Sequence, residues 1–244
     1  MWGVWQSLGE SLYFFRRHFF SLARLLVPLA LPVFLVSEYR VWWVLSGNDK
    51  LVSQDVTLLL VNGLVGLYVL ALTISYAVAE LDGRRPPAQE LLGRALLTVP
   101  SLLALQLLMF LGLGMIFMLK SVPVLIVLLL VPGLWLIACL MPTCVYVVAE
   151  RQPVPVALQS SFRNFRAMGL QLLAAMVLVM LSLFLPLVAA ASALSALIAK
   201  LPQLPLRILL SGLVDTLALL LSQLWPILMV RYYDMQRQSG TPQP

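Results

Sequence analysis

Tyr76-Ala-Val-Ala-Glu80 closes a long apolar run, and nearly the same five residues, Tyr146-Val-Val-Ala-Glu150, close another. Each is followed by a segment carrying proline and arginine, and then by a further apolar run. An ending that recurs in this way predicts repeated membrane hairpins whose marked ends face one side. Composition agrees with that expectation. Of 244 residues, 61% are apolar and 11% charged, against about a quarter charged in ordinary soluble domains. A mean hydropathy of +0.98, in apolar runs about twenty residues long, calls for lipid as the solvent. The net charge of +6 collects at the ends of those runs, which marks membrane interfaces and not a nucleic-acid partner.

The pattern predicts an all-α membrane protein with six transmembrane helices arranged as repeated hairpins, each preceded by an amphipathic interfacial helix. The expected spans cover 22–45, 56–79, 96–119, 122–145, 168–199 and 206–230. They divide one polytopic domain into an interfacial helix over 1–21, helix pair 1 over 22–79, an interfacial segment with helix pair 2 over 80–145, a second such segment with helix pair 3 over 146–230, and a polar tail over 231–244. In the first stretch Trp2, Trp5, Leu8, Leu12, Phe15 and Phe19 recur at helical spacing, while Gln6, Glu10, Arg16 and Arg17 fall elsewhere. Such a helix lies in the headgroup layer; the alternative is an early, wet start to the first span. Its opening residues lack the basic start of a cleavable signal. Val154, Leu158, Phe162 and Phe165 repeat the amphipathic arrangement against Gln159, Arg163, Asn164 and Arg166. Only Lys120-Ser121 separates the third and fourth spans, so these form an antiparallel hairpin. Pro132-Gly133 kinks the fourth, and Pro142 marks its bend toward the surface. The fifth is too long for a ~30 Å crossing, so either it kinks at Pro186 or its alanine-rich end is a separate surface element.

Six spans put both termini on one side with the loops at 80–95 and 150–166. That side carries eleven arginines and the other five basic residues, Arg40, Lys50, Lys120, Lys200 and Arg207. The bias of basic residues toward the cytoplasm makes both termini cytoplasmic. Arg16, Arg17, Arg84, Arg85, Arg163 and Arg166 are the candidate contacts to anionic lipid headgroups, whose phosphates guanidiniums grip with paired donors. Topology setting alone accounts for them equally well.

Within the spans, Asp215 is the acidic residue set deepest and the candidate intramembrane polar site. A solitary carboxylate makes a poor relay, so a structural role is expected, either solvated near the far surface or paired with Arg207 or Lys200. Glu38 and Arg40 suggest a boundary pair, and Asn62, Gln106 and Gln223 suggest hydrogen bonds across helices. His18 is the sole histidine, so neither a zinc site nor a serine–histidine pair can be assembled around it. Cys139 and Cys144 share one apolar run and point to different faces, which suits packing. No glycine-rich phosphate loop is present. No catalytic residue, cofactor or metal site is expected, and enzymatic activity is not.

Phe14-Phe-Arg-Arg-His-Phe-Phe before the first span, Val131-Pro-Gly133, Pro142, and Ala157-Leu-Gln-Ser-Ser161 resemble the YciC family of bacterial inner-membrane proteins. They are similar also to the membrane domain fused to some glycerophosphodiester phosphodiesterases. The resemblance spans nearly the whole chain and implies six helices in a bacterial inner membrane, without an established activity. The phosphodiesterase's catalytic domain has no counterpart in these residues, and the outer loop at 46–55 is shorter than the family's. The expected function is therefore non-catalytic: contact with lipid headgroups in support of membrane organisation, or of an assembly with a membrane-protein partner. The alternative is a small transporter or permease-like subunit with a cavity near Asp215 and the kinked fourth helix.

Overall fold

Long apolar runs satisfy their backbone hydrogen bonds in lipid as helices, and the computed structural model is helical with no strand among its described residues. Those residues are 2–45, 53–84, 86–118, 133, 140–165, 169–179, 181–182, 185–198, 200–201 and 203–238. In chain order the helices are α1 (Trp2–Leu45), α2 (Ser53–Leu81), α3 (Ala88–Met118), α4 (Thr143–Ala149), α5 (Val154–Phe165), α6 (Gly169–Val179), α7 (Leu185–Ile198), α8 (Leu204–Ser222) and α9 (Leu224–Gln238). Among the described residues four stretches are long and apolar enough to cross a membrane: Gln6–Val44, Val56–Leu81, Ala88–Leu111 and Leu204–Gln238. Most of the expected fourth span, with Pro132, Cys139 and the Lys120-Ser121 link, lies outside the described residues, as do Arg85, Arg166 and the side chains of Trp2 and Trp5.

The boundary expected at residue 21 is not marked by a break. α1 runs through it for 44 residues, about 66 Å at 1.5 Å per residue, twice a ~30 Å hydrocarbon layer. Phe20-Ser-Leu-Ala-Arg24 contains neither glycine nor proline, so nothing there favours interrupting the backbone hydrogen bonds. Segment 86–97 likewise merges into α3, which opens after Pro86-Pro87 and absorbs Pro100. The 154–165 segment does form a helix of its own, α5, because Arg151 adopts a left-handed φ of 54° just before Pro153. Within the fifth expected span the described residues form α6, a π turn at 181–182 and α7, with Pro186 in the first turn of α7.

α1 packs along α8 and α9, and α2 against α3, with α1, α4 and α9 also touching α2. On α1 the buried positions Ser7, Ser11, Phe14, Leu22, Leu26 and Ala30 form one seam at spacings of three to four, or a multiple. On α2 burial is nearly continuous from Val69 to Ile74, which makes this helix the centre of the core. Here Leu22, Leu72, Val145, Ile227, Met229 and Tyr232 meet. Toward the opposite end large side chains are bare: Leu59 and Leu111 are each 72% exposed. Lipid tails are as apolar as leucine, so exposure there carries no hydrophobic penalty. Helix contact at that end includes one close approach at a small residue. Gly212 lets α8 approach α1 so closely that a Cβ in its place would lie 2.7 Å from Leu35 Cδ2.

Candidate functional site

The two tyrosine–glutamate endings lie at one end of the bundle, and each tyrosine ties a helix end to an amphipathic segment. Tyr76 Oη lies 2.9 Å from His18 Nδ1 on α1, and His18 Nε2 is 3.8 Å from Glu80. Tyr146 Oη accepts a 2.8 Å hydrogen bond from Asn164 Nδ2 on α5. Tyr233 on α9 takes part as well, its hydroxyl donating to Glu150 at 2.5 Å. Its ring stands edge-on to Tyr146 at 5.3 Å. His18 also stacks on Phe14 at 4.4 Å, and Arg231 lies 5.3 Å from the Phe14 ring centroid.

After each ending the chain turns through a left-handed residue. Behind α2 it is Gly83, φ 68°, with Arg84 N–H bonded to Ala79 O and Gly83 N–H to Glu80 O, which closes the helix. Behind α4 it is Arg151, with Gln152 N–H reaching Tyr146 O. These turns aim charged side chains into one cleft of about 770 Å³, whose wall includes Arg84, Arg94, Arg151 and Arg237 beside Asp82, Glu90 and Glu150. An adjoining cavity of about 440 Å³ shares Arg84 and adds Arg17, His18 and Glu80. Asp82 accepts hydrogen bonds from Arg84 and, at 3.2 Å, from Arg237 Nη1, joining the α2–α3 turn to α9. The Arg84 guanidinium, aided by Arg237 and opposed by partial burial, holds the Asp82 carboxyl below the usual carboxylate range. Glu90 and Arg94 pair one turn apart at the start of α3.

Of the arginines read from sequence as headgroup contacts, Arg17 and Arg84 line this region. Arg16 and Arg163 are exposed elsewhere on α1 and α5. Arg94, Arg151 and Arg237 complete the cleft, although none belonged to the expected set. All three were visible as basic residues bordering apolar runs, but their convergence depends on how α3, α4 and α9 pack.

At the other end Asp215 of α8 shares a cavity wall with Glu38 of α1, Ser211 and Arg207. With a second carboxylate beside it Asp215 is not solitary, and the objection to a relay loses its premise. Glu38, Asp215, Ser195 and Arg207 line a cavity of about 230 Å³, and Asp215 borders a second of about 280 Å³ with Ser192 and Ser195. The expected bonds between helices form at Asn62, whose Nδ2 donates to Ser37 Oγ at 2.9 Å, and at Gln223, which accepts from Thr73 Oγ1 at 3.0 Å. Gln106 is exposed on α3. Among the described residues no group of three or more His, Cys, Asp and Glu side chains is placed to hold a metal ion.

The described residues, with four long apolar helices and a charged cleft at one end of the bundle, are compatible with a multi-pass membrane protein. Compared with protein-family models, curated proteins and solved structures, it matches none of them.

Proposed function

We propose that the chain is a six-span inner-membrane protein of the YciC type, with repeated hairpins, both termini cytoplasmic, and a non-catalytic role at the lipid surface. Its arginine-rich end engages phospholipid headgroups and so supports membrane organisation or a membrane assembly. The observation that carries this reading is the convergence of Arg84, Arg94, Arg151 and Arg237 on one cleft at the end of an apolar bundle. Guanidiniums held by neighbouring carboxylates keep further N–H donors for phosphate oxygens, and a bilayer presents phosphates at that depth. Cysteine-accessibility labelling tests the topology: positions 50 and 120 should label from outside the cytoplasm and positions 84 and 151 from within it. Vesicle binding tests the role. Replacing Arg84 and Arg163 with glutamine should weaken headgroup association, and unchanged association would refute it.

The Glu38–Asp215 pair supports a second reading, a proton-coupled transporter or permease-like subunit. Asp215→Asn keeps a hydrogen-bonding partner for Glu38 but removes a titratable proton. Coupled transport should then be abolished, whereas a lipid-binding role should persist.

A further inference from the structure

We infer that the cleft binds one aminophospholipid headgroup, a phosphoethanolamine, holding its phosphate with guanidiniums and its ammonium with carboxylates. This rests on the headgroup reading and narrows it to one chemical class. Four arginines face three carboxylates across about 770 Å³, a size suited to a small polar ligand. Both signs of charge line the one wall, with Asp82 serving Arg84 and Arg237, so a zwitterion meets an opposite charge at each of its ends.

The negative side of the cleft is as built as the positive side. Glu150 accepts from Tyr233 Oη at 2.5 Å and also from Gln152 Nε2. It stands next to Arg151, and Glu90 is one turn from Arg94. A headgroup carrying only a phosphate leaves these carboxylates facing neutral glycerol. A primary ammonium instead supplies three donors to them. The path for the tails starts at the same place. Leu97, one turn beyond Arg94 on α3, is exposed, as are Leu107 and Leu111 farther along the helix, so acyl chains can follow α3 while the headgroup occupies the cleft.

The test uses the full chain, stripped of lipid in detergent and titrated with phosphatidylethanolamine, phosphatidylcholine or phosphatidylglycerol while bound lipid is counted by native mass spectrometry. One phosphatidylethanolamine per chain should bind at least about tenfold more tightly than phosphatidylcholine, whose trimethylated nitrogen donates no hydrogen bond. Glu150→Gln and Glu90→Gln should erase that preference, and Arg94→Gln should weaken all three lipids. Glu90→Gln guards against misfolding of the Glu150 variant, because Glu90 is exposed. Equal binding of the two zwitterionic lipids would overturn the aminophospholipid site while leaving the headgroup reading intact. If Arg94→Gln and Arg84→Gln change none of the lipids, both fall.

Discussion

Gln223 interrupts the last long helical stretch, and replacing it tests how the break is kept stable at membrane depth. Pro226 has no N–H to offer the Ser222 carbonyl, and α8 stops at Ser222. The Gln223 backbone N–H turns to Leu220 O at 3.1 Å. Leu219 O is then served by Gln223 Nε2 at 2.9 Å and by Ser222 Oγ at 2.7 Å. The amide oxygen meanwhile accepts from Thr73 Oγ1 on α2. Gln223 therefore caps its own helix break and ties α8 to the central helix, with both polar groups buried. Hydrogen bonds between helices in membranes contribute about 0.6 kcal/mol and at most about 1.7. A carbonyl losing a donor adds about 1 kcal/mol. Gln223→Leu should thus cost about 2 kcal/mol and Thr73→Val about 1 kcal/mol, with the double variant less impaired than their sum by about 0.6–1.7 kcal/mol. SDS titration of the detergent-solubilised protein, followed by tryptophan fluorescence, measures all three. Strictly additive losses would refute the bond, and two neutral single variants would refute the capping scheme.

Gly212→Val should cost about 1–3 kcal/mol by overpacking the α1–α8 contact, and Gly212→Ala less, because Leu35 Cδ2 is the movable end of a side chain. Thermal unfolding that ranks the two variants equally would contradict the close approach. Arg151→Gly should raise the unfolding temperature, since relieving a left-handed non-glycine residue gains about 1 kcal/mol, while weakening phosphatidylethanolamine binding. A lower unfolding temperature would show that the arginine side chain holds the fold. Asp82 is depressed chiefly by Arg84, so its contribution is complete above the ordinary carboxylate value and disappears as pH falls through its lower folded value. Asp82→Asn should flatten the acid limb of a stability–pH curve below about pH 4, and an unchanged limb would assign that dependence to other carboxylates.

Hydropathy along the chain determined the helical class and the apolar stretches, because each residue's preference for lipid adds to that of its neighbours without reference to the fold. Breaker residues were partly legible: Gln152-Pro153 lies beside a real interruption, whereas the junction at 21 lacks one and α1 continues. The Tyr76 and Tyr146 endings, visible as an echo, serve a shared purpose in tying helix ends to polar side chains. Only the tertiary structure decided which charges meet. Glu38 comes to share a cavity wall with Asp215, and Asp82 reaches Arg237, through packing between helices far apart in sequence. Pairing of that kind depends on the rotation and approach of two helices, set here by small residues such as Gly212. One-dimensional hydropathy holds no record of either.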